Sequence, residues 1–279
     1  MRRSPRVEPS RNWDQNGGRR PSWGLRRRCR WGYEYLPPLG LLAVILGGWE
    51  LIARSLGAPY ILPSPSEILL RMAIDWRLLL RHALVTLEEV ALGFALALLL
   101  GLASALLIFH SRTFQRVLYP LIIATQNVPV FAIAPILVLW LGYGIMSKVA
   151  VAALIIFFPV VVNTVDGLRS VDRDVVNLFK ILEASPLQVL LKLRLPGALP
   201  FIFSGCKIGV TMSVVGAVIG EWVGAKAGLG YLMIHANARL KIDLLFAAIL
   251  WLSALSIALF AFVSFLERVA LPWRRFTHE

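Results

Sequence analysis

Six stretches of the chain, 38–56, 86–109, 118–141, 147–165, 199–223 and 244–266, are apolar almost throughout. Each is about as long as the 20 or so residues a helix needs to cross the hydrocarbon core of a bilayer. In lipid, a spanning segment must satisfy its backbone internally. The runs therefore predict an all-α, polytopic membrane protein with six transmembrane helices. Composition agrees: 58% of residues are hydrophobic and only 16% charged, against about 25% charged in soluble domains.

The formal net charge of +13 would suit nucleic acid on a soluble protein. Here the basic residues crowd the start and the gaps between apolar runs, a pattern that sets topology and argues against a nucleic-acid partner. Residues 1–36 hold ten arginines with prolines and glycines and few aliphatics. They read as a disordered basic cytoplasmic arm able to touch anionic membrane lipids. They lack the compact apolar core and small-residue cleavage site of a signal peptide. Residues 37–279 then form the transmembrane domain. With the amino terminus inside, twenty Lys and Arg fall on the cytoplasmic side and eight on the other. The positive-inside rule thus puts both termini in the cytoplasm.

Little in the chain suggests covalent chemistry. Cys29 and Cys206 lie in unlike surroundings, and the four histidines are scattered without ligand spacing; neither a disulfide framework nor a metal site follows. No GxxxxGK[ST] loop is present, so any nucleotide is bound by another chain.

Residues 57–85, between the first two runs, open with a Pro/Ser turn. Ile68, Leu69, Met72 and Trp76 then predict a short amphipathic helix on the outer interface. The second run carries Gly93, Ala97, Gly101 and Ala105, and the fifth carries Gly205, Gly209, Ser213 and Ala217, with Glu221 next in the series. Small residues at every fourth position let membrane helices approach closely. In the fifth run, Thr211, Ser213 and Glu221 also make a water-filled path conceivable, because a charge within a bilayer faces a cavity or a partner. The third run contains Pro120, Pro129 and Pro135 and should break near Asn127–Pro129. Broken spans tend to line cavities. Gln126, Asn127 and Pro129 therefore join Thr211, Ser213 and Glu221 as candidates for a translocation path, with tight packing and local satisfaction of the kink as the competing readings.

The cytoplasmic connection 166–198 holds two short apolar segments. In the first, Val175, Leu178, Phe179 and Leu182 share a helical face with Asp174 as N-cap; Pro186 opens the second, which runs to Pro196. Two short helices with apolar faces in water suggest a docked partner.

The stretch NLFKILEASPLQVLLKLRLP, residues 177–196, resembles the cytoplasmic loop of permease subunits of binding-protein-dependent ABC importers. That loop reads Glu-Ala-Ala, three residues, Gly, nine residues, Ile, one residue, Leu-Pro. Counting back from Leu195-Pro196 puts Leu193 at the Ile position, Glu183 at the Gly position and Asn177-Leu178-Phe179 at Glu-Ala-Ala. Glu183-Ala184 only looks like the motif's start, and a glutamate stands where the family has its turn glycine. LPSPSEIL (62–69), NVPVFAIAPILVLWLGYG (127–144), FFPVVVNTVDGLRSVD (157–172) and GEWVGAKAGLGYLM (220–233) extend the resemblance over about residues 50–275, toward the nitrate, sulfonate, taurine and bicarbonate branch.

The resemblance implies the ABC importer permease fold in a bacterial inner membrane. It makes 174–195 the segment that couples to a separate ATPase, with Asn177, Leu178, Phe179, Glu183, Ala184, Ser185, Pro186, Leu193, Leu195 and Pro196 as its residues. It further implies a homodimer, a periplasmic solute-binding protein, and ATP and Mg bound only by the partner subunit, so that this chain carries no cofactor. Its solute would be a sulfonate, nitrate, taurine or a related compound; relatives also move bicarbonate or pyrimidine precursors of thiamine. A secondary transporter or channel would also show six spans and a broken helix. A membrane enzyme using Asp166, Asp172 and Asp174 is the other alternative.

Overall fold

The computed structural model describes residues 30–272, with side chains from Pro37 onward. Among the described residues there is no strand. The helices are α1 (Arg30–Leu56), α2 (Pro65–Ile74), α3 (Trp76–His110), α4 (Arg112–Thr125), α5 (Val130–Leu141), α6 (Ile145–Arg169), α7 (Arg173–Ile181), α8 (Pro186–Val189), α9 (Leu195–Gly224), α10 (Leu229–Ala238) and α11 (Ile242–Ala270), with a π-helical turn at Leu190–Arg194 between α8 and α9. Five helical stretches are long and apolar enough to cross a membrane, or six if the bent pair α4 and α5 is one span.

The break in the third apolar run falls where its prolines point. α4 and α5 meet at an angle of 100° across Gln126–Pro129, whereas Pro120 and Pro135 lie within their helices.

Besides α4, which starts at Arg112 ahead of the expected 118, three boundaries differ from the sequence expectation. α1 already begins at Arg30, so the end of the basic arm expected at residue 36 lies inside a helix; residues 1–29 are outside the described part. The expected outer connection is shorter than 57–85, because α3 starts at Trp76. Extending an existing helix adds one hydrogen bond per residue fixed, so spans run past their apolar limits. The amphipathic helix before it is α2. Ser64 and Glu67 form a capping box there, with Pro65 in the first turn, and Glu50 takes the Ser66 amide at 3.1 Å and its hydroxyl at 2.6 Å.

Third, Pro196 does not end a separate short helix. Pro186–Gly224 is one helical run of 39 residues. A proline cannot donate to the carbonyl four residues back. The π turn absorbs that mismatch just ahead of it, with the Leu195 amide donating to Leu190 O.

The core of residues 50–272 is built around α6. α3 lies along it in parallel and α9 antiparallel, each through its small-residue stripe. A Cβ on Gly93 would stand 2.8 Å from Ala152 Cβ, and one on Gly101 2.8 Å from Val160 Cγ1. On the other side, a Cβ on Gly205 would meet Pro159 O at 2.7 Å and one on Gly209 would meet Ile156 Cγ2 at 2.8 Å. Both stripes are thus seams of close helix contact. Two lysines within apolar helices are paired: Lys148 Nζ is 2.9 Å from Glu89 Oε1, linking α6 to α3, and Lys207 Nζ is 2.7 Å from Glu267 Oε2, linking α9 to α11.

Candidate coupling segment and transport path

After α6 ends at Arg169, the chain turns through Ser170–Asp172 into α7. The N-cap is Asp172, whose carboxylate takes the Asp174 amide at 2.9 Å. Asp174, expected as the cap, lies in the first turn because α7 starts one residue ahead of it. The helix closes in a Schellman turn. Glu183 has φ +54°, its amide donates to Lys180 O at 3.0 Å, and the Ala184 amide donates to Phe179 O at 3.0 Å. Glu183, at the position where the resemblance has a glycine, thus adopts the left-handed conformation that glycine favours.

The next helix starts two residues later. Ser185 Oγ accepts from the Gln188 amide at 3.3 Å and Gln188 Oε1 from the Ser185 amide at 2.8 Å, with Pro186 in the first turn. Through the π turn this helix becomes α9. Its root is tied to the end of α6: Arg194 donates to Leu168 O at 3.0 Å and its guanidinium lies 4.8 Å from the Phe109 ring centre.

Burial divides the segment. Val176 and Val189 are buried, while Phe179, Ala184, Leu193, Leu195 and Pro196 are half-buried. Asn177, Ser185 and Pro186 are exposed, and so is a run of leucines and an isoleucine: Leu178 53%, Ile181 78%, Leu182 69%, Leu187 62% and Leu191 53%. The expected face of Val175, Leu178, Phe179 and Leu182 is therefore rotated, with Phe179 turned toward the protein and Ile181 outward.

The six path candidates fall into two groups, with no hydrogen bond between the groups among the described residues. Gln126, Asn127 and Pro129 are exposed at the α4–α5 bend, and Asn127 Nδ2 donates to Ile123 O at 3.0 Å. Thr211, Ser213 and Glu221 lie along α9. The Thr211 hydroxyl donates to Lys207 O at 2.8 Å and the Ser213 hydroxyl to Val210 O at 2.7 Å. Ser213 and Glu221 are buried.

Glu221 has partners that sequence reasoning did not find. Thr86 Oγ1 donates to its Oε1 at 2.6 Å, and the Tyr231 amide donates to Oε2 at 3.2 Å, joined there by the Gly230 amide. Glu89 and Lys148 were also missed as a pair. The available signal was that both are charged residues next to or within apolar runs, which lipid would oblige to find partners.

The family profile described as binding-protein-dependent transport system inner membrane component matches residues 97–271. A probable ABC transporter permease protein of Haemophilus influenzae is 47% identical, over 83% of this chain and 95% of its own length. The formylaminopyrimidine transport permease protein ThiX of Halalkalibacterium halodurans is 41% identical, over 87% and 98%. A putative aliphatic sulfonates transport permease protein, SsuC of Bacillus subtilis, is 33% identical, over 87% and 89%. Among solved structures, an inward-facing MetNI methionine ABC transporter superposes with a TM-score of 0.61 at 17% identity, over 70% of this chain and 97% of that one.

Proposed function

Starting from a chain that belongs to the family of binding-protein-dependent transport system inner membrane components, a transport subunit and not a catalyst, we propose that it imports a neutral heteroaromatic solute of the formylaminopyrimidine kind. In this reading, a separate ATPase subunit seats on residues 173–195. The observation that carries the coupling part is the Glu183 turn. A left-handed residue at the family's glycine position is what the counted register requires, and the turn aims Leu178, Ile181, Leu182, Leu187 and Leu191 into solvent. Exposed apolar groups of this size on a segment rooted in the core fit a protein partner that buries them.

The same reading sets the end carrying α7 and α8 in the cytoplasm, with both termini on that side. The end carrying α2 and α10 then faces the solute-binding protein. Two copies of the chain enclose the path, with Gln126, Asn127, Pro129 and Thr211 near it.

Two observations favour a neutral ring over a sulfonate or nitrate anion. The relative named for formylaminopyrimidine is 41% identical and the one named for sulfonates 33%. In addition, the lysines set within the apolar helices are each neutralised by a glutamate. Unpaired positive charge near the route would favour an anion, and a lysine held by a glutamate offers less of it.

Uptake into proteoliposomes holding this chain, its ATPase and its solute-binding protein tests the proposal. ATP-dependent accumulation of labelled formylaminopyrimidine, unaffected by excess taurine, is the expected result. Uptake of taurine or an alkanesulfonate in its place would overturn the solute class, and accumulation without ATP would overturn the importer mechanism.

A further inference from the structure

The amino end of α10 is capped entirely by other parts of the fold. A helix leaves its first amides without intrahelical partners, and the residue preceding α10 is Gly228, which has no side chain to offer. The four amides from Gly228 to Tyr231 nevertheless all have acceptors. The Gly228 amide donates to His82 Nδ1 at 3.0 Å and the Leu229 amide to Thr86 Oγ1 at 2.9 Å, both on α3. The Gly230 and Tyr231 amides donate to Glu221 Oε2 on α9. The Thr86 hydroxyl closes the set by donating to Glu221 Oε1 at 2.6 Å. Glu221 and Thr86 are 1% and 0% exposed, so no water substitutes for these bonds at low cost.

The fit depends on two missing side chains. Gly228 has φ +120°, and a Cβ there would collide with the Glu221 carboxyl group. A Cβ on Gly230 would stand 2.9 Å from Glu221 Oε2 and 3.0 Å from Val218 Cα. The two glycines thus let α10 close directly on the Glu221 carboxyl group, while Thr86 and His82 tie the same helix end to α3.

Glu221 also lies near the far end of the 39-residue helical run that begins at Pro186 in the coupling segment. At 1.5 Å per residue that run is close to 60 Å long, about twice the hydrocarbon thickness. A shift of α9 against α3, imposed at the coupling end, would break the Thr86–Glu221 bond at the other and part the amides of α10 from either their α3 or their α9 acceptors.

We propose that Glu221 and Thr86 are positioning residues of the transport cycle, locking α10 in place only while α3 and α9 hold this register. Movement at the ATPase end then appears at the opposite end as release of α10. The inference rests on the reading of residues 173–195 as the coupling segment.

The test uses the full assembly of this chain, its ATPase and its solute-binding protein in proteoliposomes, comparing Thr86→Ser, which keeps the hydroxyl, with the nearly isosteric Thr86→Val, which removes it. Three quantities are read: ATPase co-purification, ATP hydrolysis with and without loaded binding protein, and amide exchange across residues 226–235. Thr86→Ser should behave as wild type. Thr86→Val should keep the ATPase bound and basal hydrolysis unchanged, while stimulation by the binding protein and uptake fall at least about tenfold, because the Glu221 carboxylate loses a buried hydrogen bond and the Leu229 amide loses its acceptor. Exchange across 226–235 should rise in that variant, and in wild type on ATP binding. Wild-type stimulation in Thr86→Val, or exchange in wild type that ignores ATP, would overturn the lock alone. Loss of ATPase co-purification in Thr86→Val would make Thr86 merely structural and overturn it as well. A wild-type chain that binds no ATPase would overturn the coupling reading, and this inference with it.

Discussion

Two glutamates bracket the long helical run from Pro186 to Gly224, and they are built in opposite ways. Glu183, just ahead of it, is exposed and holds a left-handed conformation where a glycine would be at ease. Glu221, near its other end, is buried, and two glycines make room for its carboxylate. At the first end a costly backbone turn is tolerated and apolar side chains stay in solvent. At the second, amides, hydroxyl and carboxylate are matched within the chain. In the proposed reading, the difference separates an end whose apolar groups await a partner from an end whose polar groups are matched within the chain.

The largest expected effect lies beside the complete end. Lys148→Met leaves the Glu89 carboxylate buried without its cation, which should cost about 3–5 kcal/mol; adding Glu89→Leu should recover most of it. Thermal unfolding of the detergent-solubilised chain and the two variants checks this. A single variant as stable as wild type would remove the pair from the account.

Gly228→Ala comes next. It sets a Cβ against the Glu221 carboxyl group at a backbone angle that alanine rarely adopts, for a loss of about 2–3 kcal/mol. The same assay should show a clear fall in midpoint, and proteolysis should begin within residues 225–241.

The mirror substitution carries the smallest effect and the opposite sign. Glu183→Gly relieves about 1–2 kcal/mol of left-handed strain but adds freedom to the unfolded chain, for a net gain of about 0.5 kcal/mol. A slightly raised unfolding midpoint with unchanged ATPase binding is expected. A marked fall would mean that the Glu183 side chain itself has a partner.

Much of the fold could be read from the sequence because lipid restricts the choices. Apolar length marked the spans, and the prolines of the third run marked its 100° bend. The small-residue stripes of α3 and α9 pointed to close contact, although nothing in them named α6 as the shared neighbour. Pro196 misled because a proline in sequence looks like a stop, whereas a π turn just ahead of it carries the helix through. α10 was not anticipated because its capping signal is not local: His82 and Thr86 lie far upstream, and Glu221 belongs to the preceding span. In the coupling segment, the position of Glu183 followed from counting back from Leu195-Pro196. The outward face did not, since the covered side of α7 is that of Val176 and Phe179, which depends on the rest of the fold and not on the apolar spacing of the segment.

The most direct measurement is co-purification of the full-length chain with its ATPase subunit from membranes, comparing wild type with Leu178→Asp plus Leu182→Asp. These two positions are more than half exposed, so the variant should fold and insert as wild type does. Docking on this face requires that the ATPase be recovered with wild type and lost from the variant. Equal recovery with both would contradict it, placing the ATPase contact somewhere other than the helices on either side of Glu183.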